Sequence, residues 1–435
     1  MTPFRRGSAR PLRTALAVFA AMTCALSGAL AQSDSTWRDH ERALQDARKA
    51  VDTVAYRAQL DAVYRAIGAT PRIANRFAAL ALAAHDSAGA ARWLGAIAAM
   101  GAELDTSLAS RYRTLAGARA LDSLRALGAR AVADAGSPQL SFGLPDVDMI
   151  SEDIAYDFRS ARFLVSSVRH GGIYAASASS RGRAIVKSGA DGSWGMFAVG
   201  VARDVLWTTT AALPLAAHYT PADSGRSTLM KYDVRTGRLR GRYVAPDSGA
   251  HVLGDLVVGR NGAVFVSDGV GGGVYVLAPG SGSLRALVQP GVFYSPQTPA
   301  LSRDHATLFV PDYAVGIAAV SVATGRIAWI THSDSLALTG IDGMYRVGHD
   351  LIVVQNGMEP NRIMRLTLDA SMRHVVHATA LARGPSARSL THATVAGSWL
   401  YFLTGSGWER VGDDGAMTAG TPADAPAVMR VRLMP

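Results

Sequence analysis

The sequence predicts an all-β six-bladed propeller over residues 136–435, preceded by an α-helical domain at 32–135 and a cleaved leader at 1–31. Three observations support this prediction. The spacing of apolar residues changes from a helical period to strand-like alternation near residue 136. A unit of about four strands then recurs with a period just above forty residues, and six copies can be recognised. A β-sandwich has similar short strands but does not explain the recurrence, so the propeller is favoured.

Each repeat has a polar residue in a turn, a strand that begins beside it, a tight turn and further short strands. The first strands start near positions 152, 195, 255, 297, 342 and 392, so successive copies lie 43, 60, 42, 45 and 50 residues apart. The copies near 195 and 392 are looser than the other four. The longest interval contains an insertion at 211–226 that is rich in Pro, Ala and Ser. Four strands at this period are typical of a propeller blade.

The ends of the propeller are predicted to close on each other. The last repeat contains only three strand-like segments, at 391–397, 398–404 and 427–433. The segment 139–144 precedes the first repeat and is available as the fourth strand. We expect this closure because it removes exposed sheet edges. The chain has one cysteine, Cys24, and it lies in the leader, so no disulfide can form in the mature chain.

The N-terminal segment has the pattern of a secretory signal. Four Arg between residues 5 and 13 form a basic region, residues 15–30 are apolar, and Ala29-Leu30-Ala31 provides a cleavage motif. We predict cleavage after Ala31 and a periplasmic or secreted location. The alternative is an uncleaved segment that anchors the chain in a membrane.

Composition and charge argue against some classes of function. Hydrophobic residues make up 49% and charged residues 18% of the chain, which is typical of a globular protein with a sizeable core. Removing the four Arg of the leader takes four from the formal charge of +10 and leaves +6. The Arg residues are scattered without interleaved aromatics, so we predict no nucleic-acid partner. We also predict no membrane association after cleavage, since no other apolar run is long enough to span a bilayer.

Residues 36–134 are Ala-rich with apolar residues at helical spacing, and they predict about four helices with breaks at 68–71, at 85–87 and near Gly101. The stretch 71–105 resembles one tetratricopeptide-type helical hairpin. A single copy is below the number that such arrays need, so a generic helical bundle or hairpin stays open as the alternative. Either arrangement could contact a protein partner.

One residue just before or at the start of each predicted first strand is of interest, and five of these six residues are polar. In a propeller these positions converge at one mouth of the central channel. Three acids gathered there would repel one another unless a cation or a proton offsets their charge, and Ca²⁺ is the simplest such cation. The alternative is that these acids only accept hydrogen bonds in turns. The six residues are Glu152, Trp194, Asp255, Gln297, Asp342 and His392.

Two of these positions carry a family resemblance. Glu152 before the first strand and Asp342-Gly343-Met344 before the fifth blade resemble the senescence-marker-protein/gluconolactonase superfamily, which includes paraoxonase-type and strictosidine synthase-like propellers. The resemblance covers about residues 145–435. It implies a divalent metal near the channel axis, a lactone or ester polarised by that metal, and hydrolysis by an activated water.

The resemblance also implies roles for individual residues. Glu152, Asp255, Gln297 and Asp342 would be metal ligands, with Asp342 also the general base. Asp255 and Gln297 stand where the metal-binding members tend to have Asn. We further expect His392 to act as a proton shuttle, because its ordinary pKa is near neutrality. Trp194 is either a substrate-binding aromatic at the rim or a core residue.

Two functions are therefore predicted. The first is an exported, divalent-metal-dependent hydrolase of lactones or related esters. The alternative is a non-catalytic binding or scaffold propeller with a helical protein-interaction domain. The sequence has no Gly-x-Ser-x-Gly nucleophile elbow, paired-Cys metal site or His-Glu-x-x-His zinc helix, so serine-triad hydrolysis and structural zinc are not predicted.

Overall fold

The computed structural model describes residues 36–144, 146–177, 180–421 and 424–433. The predicted leader and its cleavage site lie outside these residues. In the described part of the chain, no helix combines the length and the apolarity that crossing a membrane requires.

Six α-helices occupy the N-terminal part of the described chain, where the sequence predicted about four. The breaks expected at 68–71, at 85–87 and near Gly101 are confirmed, and two further breaks explain the difference. Asp52 caps a new helix start by accepting a hydrogen bond from its first turn. Gly117 has a φ of 87°, which interrupts the helical backbone at little cost only for glycine. The helices are α1 (Thr36–Lys49), α2 (Thr53–Ile67), α3 (Pro71–Ala83), α4 (Ser87–Ala99), α5 (Thr106–Ala116) and α6 (Ala118–Ala131).

The strands of the second part form six separate four-stranded sheets, which confirms the six-bladed propeller. All strand pairs within these sheets are antiparallel. The strands are β1 (Gln139–Gly143), β2 (Ser151–Asp157), β3 (Arg162–Ser167), β4 (Gly172–Ser177), β5 (Ser180–Val186), β6 (Gly195–Ala202), β7 (Val205–Ala211), β8 (Ser227–Asp233), β9 (Leu239–Val244), β10 (Leu253–Val258), β11 (Val264–Asp268), β12 (Val274–Leu277), β13 (Arg285–Val288), β14 (Ala300–Leu301), β15 (Thr307–Asp312), β16 (Gly316–Ser321), β17 (Ile327–Trp329), β18 (Ile341–Val347), β19 (Asp350–Gln355), β20 (Arg362–Leu368), β21 (Val375–Arg383), β22 (Ala393–Ala396), β23 (Trp399–Thr404) and β24 (Ala427–Arg432).

The first five blades each use four consecutive strands, and the sixth has the order β22-β23-β24-β1. The predicted closure is therefore confirmed: β1 pairs with β24, with Gln139 opposite Arg430 and Gly143 opposite Ala427. The first strands of neighbouring blades contact one another around the channel, as β2 does with β6 and β22. The starts of β2, β6, β10, β14, β18 and β22 therefore surround one mouth.

Apolar side chains between the blades form the core of the propeller. Leu164 and Ile173 of the first blade pack with Met196 and Leu206 of the second, and similar clusters fill the other junctions. Each fully buried side chain of this kind contributes about 1.5–3 kcal/mol to stability. The core thus compensates for the absence of a disulfide.

The helical domain packs directly on the propeller. Trp37 of α1 is buried and makes edge-to-face contacts with Tyr294 and Trp329, with ring centroids 5.4 and 6.1 Å apart. The hydroxyl of Tyr64 donates to Asp334 at 2.8 Å. Apolar residues of the helices and of the propeller belong to one continuous cluster. The two parts therefore share a core.

Arg362 of β20 anchors this packing, and its loss has a predictable cost. The side chain is 5% exposed; its Nη1 donates to the carbonyl oxygen of Met100 and its Nε to Gln355, both at 2.8 Å. Burial lowers the pKa of Arg362 to about 10. We expect Arg362→Met to lower the free energy of unfolding by about 2–4 kcal/mol, because two buried acceptors lose their donor. Chemical denaturation would measure this.

The matched control is Arg365→Met on the same strand. Arg365 forms a partly exposed pair with Asp350 at 3.5 Å, and such pairs contribute about 0–1 kcal/mol. Equal losses in the two variants would show that Arg362 does not anchor the helices.

Candidate functional site

A cavity of about 1000 Å³ opens at the mouth of the channel where the first strands begin. Residues from all six blades line it. Apolar side chains such as Phe197, Leu213 and Phe293 cover part of its wall, and Leu213 belongs to the insertion at 211–226. A concave site of this size with a few polar groups is typical of small-molecule binding sites.

Four of the six predicted site residues line this cavity, each from a different blade. They are Glu152, Asp255, Gln297 and Asp342. Gln297 is held by its amide nitrogen, which donates to the hydroxyl of Ser295 at 2.8 Å. The structure therefore brings together the three acids and the amide that the sequence singled out.

β-Bulges position the three carboxylates. The pairing register of the first strand shifts at 151–154, at 253–255 and at 341–343, and each shift contains or adjoins one of the acids. A bulge inserts an extra residue and redirects its side chain away from the regular alternation of the strand. The same local feature thus turns one acid of each of three blades towards the mouth.

Trp194 and His392, the other two predicted site residues, are not among the described residues that line the cavity. The indole ring of Trp194 lies 5.4 Å from the guanidinium of Arg226. His392 is 1% exposed and lies beneath the carboxylates rather than on the cavity surface. Its role as a proton shuttle stays a prediction.

Both ring nitrogens of His392 are engaged. Nδ1 lies 2.8 Å from the carbonyl oxygen of Glu152, which can only accept, so Nδ1 carries a proton. Nε2 lies 2.7 Å from Asp255 and 3.9 Å from Asp342. Burial alone would lower the pKa of His392, but the charges of Asp342 and Asp255 raise it well above its ordinary value. The ring is therefore an imidazolium that donates on both sides.

Three carboxyl groups near this imidazolium, those of Glu152, Asp342 and Asp153, have raised pKa values. Burial raises the pKa of Glu152 to about 8 and that of Asp342 to about 6, while the charge of His392 opposes both shifts. Behind them, burial raises the pKa of Asp153 to about 7, although backbone N–H groups of Val199 and Ile154 donate to it.

Three residues that sequence reasoning did not assign to the site orient its acids. The indole nitrogen of Trp408 donates to Glu152. Asn356 donates to Asp342 at 2.5 Å, and Tyr313 donates to Asn356 at 3.0 Å. The sequence contains a partial signal: Pro311-Asp312-Tyr313 and Gln355-Asn356-Gly357 fit propeller loops of the superfamily that the sequence resembles, although they are less specific than Glu152 and Asp342. No sequence signal pointed to Trp408.

The arrangement does not fit the predicted Ca²⁺ site. A protein N–H group already points at one oxygen of each carboxylate, and the charged ring of His392 lies 2.7 Å from Asp255 and 3.9 Å from Asp342, so part of the negative charge is already offset. No group of three or more His, Cys, Asp or Glu side chains in the described residues is arranged to hold a metal ion. As placed here, Glu152, Asp255, Gln297 and Asp342 therefore do not form the expected ligand set.

Comparison with known proteins leaves the activity open. No family profile and no curated protein matches the chain. Among solved structures, it is similar to a gluconolactonase of Xanthomonas campestris at 15% identity, covering 70% of this chain and 93% of that one with a TM-score of 0.45.

Two further structures are similar to the same extent. A calcium-binding regucalcin of Agrobacterium tumefaciens is 14% identical over 68% of this chain and 97% of its own, with a TM-score of 0.47. A PQQ-bound aldose sugar dehydrogenase of Streptomyces coelicolor is 13% identical over 68% and 98%, with a TM-score of 0.46. Similarity at this level carries no inference about chemistry, so the function has to be argued from the site itself.

Proposed function

We propose that this protein hydrolyses lactones or related esters by general acid–base catalysis at the channel mouth. The observation that carries the proposal is a pair of carboxyl groups with raised pKa values, Glu152 and Asp342, on the wall of one cavity. Carboxyl groups with different raised pKa values at one site are typical of acid–base pairs.

The two groups have complementary roles at neutral pH. Asp342, with a pKa of about 6, is ionised and can take a proton from a water molecule as its oxygen attacks the carbonyl carbon. Glu152, with a pKa of about 8, is protonated and can give its proton to the alkoxide oxygen as the carbon–oxygen bond of the lactone breaks. The carboxylic acid product loses its own proton to solvent. Asp342 then releases the proton that it took from water and Glu152 takes one up, both by exchange with solvent, so the two carboxyl groups return to their starting states.

The neighbouring residues fit these roles. Asn356, held by Tyr313, fixes one oxygen of Asp342 and leaves the other available to a water molecule. Trp408 fixes one oxygen of Glu152 in the same way. The proposal includes export to the periplasm or the medium, which the residues of the leader support.

The test is an assay of the chain from residue 32 on a panel of lactones and aryl esters, with and without a chelator. We expect turnover that survives chelation and changes less than about twofold when Ca²⁺ is added, because His392 already offsets the carboxylate charge. Loss of activity on chelation and recovery with Ca²⁺ would reinstate the predicted metal dependence. Absence of turnover across the panel would reject the hydrolase and favour a binding function.

A further inference from the structure

We infer that the helical domain forms one wall of the ligand site and that its arginines select substrates with a carboxylate at the end opposite the reacting carbonyl. The inference rests on the proposed function and names its substrate class. Its basis is that Arg38 of α1 and Arg72 of α3 line the same cavity as Glu152 and Asp342.

Arg38 is held in place by the propeller and retains donors for a ligand. Its Nη1 donates to the carbonyl oxygen of Gly291. Its guanidinium carbon lies 4.1 Å from the centre of the Tyr294 ring, in the geometry of a cation–π contact. The Nε is buried and has no hydrogen-bond partner among the described residues. A guanidinium has five N–H donors, so most of them are available to an anion.

Arg72 adds a positive charge that Glu41, its salt-bridge partner, does not neutralise. Glu41 is buried and accepts two hydrogen bonds of 2.9 Å from Arg76. Arg72 lies 3.3 Å from the same carboxylate and is 50% exposed at the cavity. One carboxylate thus faces two guanidinium groups, which leaves one positive charge in excess. Arg388 lines the cavity from the propeller side, but it is paired with Asp424 at 3.9 Å and adds no unbalanced charge.

The acids that line the cavity come from the propeller: Glu152, Asp255 and Asp342 form its floor, and Glu359, Glu409 and Asp424 line it elsewhere. The helical wall contributes Arg38 and Arg72. The floor holds the three acids, which disfavour an anion beside them despite the imidazolium below. The helical wall holds Arg38 and Arg72, whose planar groups bind carboxylates through paired, charge-assisted hydrogen bonds. A ligand with a neutral ester or lactone at one end and a carboxylate at the other matches this division. The volume of about 1000 Å³ accommodates such a molecule.

The experiment compares two lactones that differ in one group. D-Glucono-γ-lactone is neutral, and D-glucaro-γ-lactone has a carboxylate in place of its terminal hydroxymethyl group. Both are assayed with the wild type, Arg38→Ala, Arg72→Ala and the control Arg65→Ala. Arg65 is an exposed residue of α2 that does not line the cavity.

We expect the wild type to prefer the anionic lactone. Arg38→Ala and Arg72→Ala should each lower kcat/KM for the anionic lactone by about tenfold and change that for the neutral lactone by less than about threefold. Arg65→Ala should match the wild type on both. Equal effects on the two lactones, or no effect on either, would overturn the inference.

A failure of the proposed function can be told apart from a failure of this inference. If the wild type hydrolyses neither lactone, calorimetric binding of the two lactones decides the question. Tighter binding of the anionic lactone that Arg38→Ala abolishes would support the inference without catalysis. Equal binding of both lactones, or no binding, would overturn it.

Discussion

Asp342→Asn is expected to lower kcat for lactone or ester hydrolysis by about 10²–10⁴-fold, the usual contribution of a general base. The substitution keeps the shape of the side chain and an oxygen that can accept the hydrogen bond from Asn356, while it removes the ability to take a proton from water. Circular dichroism and thermal unfolding should show a folded protein. The matched control is Asp304→Asn, which removes an exposed acid from the β14–β15 turn and should retain full activity.

The dependence of the wild-type hydrolysis rate on pH provides a second test of the role of Asp342 as general base. Asp342 acts only when ionised, so the rate should rise as the pH increases through about 6. Glu152 acts only when protonated, so the rate should fall as the pH increases through about 8. A bell-shaped profile between these values is expected. An Asp342→Asn variant within tenfold of wild-type activity, or a rate that does not fall below pH 6, would contradict the assignment.

His392→Leu should lower the free energy of unfolding by about 3–5 kcal/mol, the usual cost of leaving buried charge without its partner. Asp255, Asp342 and Asp153 all depend on the imidazolium for compensation. Chemical denaturation at neutral pH would measure the loss. His349→Leu, at an exposed position in the β18–β19 turn, is the control and should cost less than about 0.5 kcal/mol.

A double substitution separates lost packing from uncompensated charge. Adding Asp255→Asn to His392→Leu removes the carboxylate that lies closest to the ring, at 2.7 Å. If charge is the cause, the double variant should be more stable than His392→Leu alone. If the losses in the free energy of unfolding from the two single substitutions simply add in the double variant, the cost of His392→Leu comes from lost packing instead.

The sequence was sufficient to predict the blades and the acids of the mouth. The repeat period can be recognised because it depends on local features, namely the alternation of apolar and polar residues in the strands and the turns between them. In a propeller, the start of each repeat lies at the channel. Glu152, Asp255, Gln297 and Asp342 could therefore be placed together without coordinates.

The way in which His392 offsets the charge of these acids could not be predicted, because it depends on the directions in which side chains of different blades point. Neighbouring residues in a bulge can point to different sides, so nothing in the sequence showed that Asp153 would be buried behind Glu152. The contact between His392 and Asp255 joins residues 137 positions apart. The expectation of Ca²⁺ followed from counting the acids. His392 was expected at the same mouth, but its direct contact with Asp255 was not predicted.

The contribution of the helical domain to the cavity wall could not be predicted for a similar reason. Arg38 and Arg72 belong to amphipathic helices, and their periodicity indicates which residues are buried but not which neighbouring domain they face. The docking contacts, such as Tyr64 with Asp334, connect segments 270 residues apart. The sequence therefore led only to the expectation that the helices contact a protein partner, and not that they contribute to the cavity.

The pairing of β1 with β24 joins the two ends of the ring, with Gln139 opposite Arg430. Only a short connection separates β1 from α6, which ends at Ala131. During synthesis the last strand emerges long after the first, so the circle stays open until the final residues are available, and joining such distant segments is slow. A chain that ends prematurely before residue 427 would lack this seam, and β1, which leads directly from the helices, would have no strand to pair with.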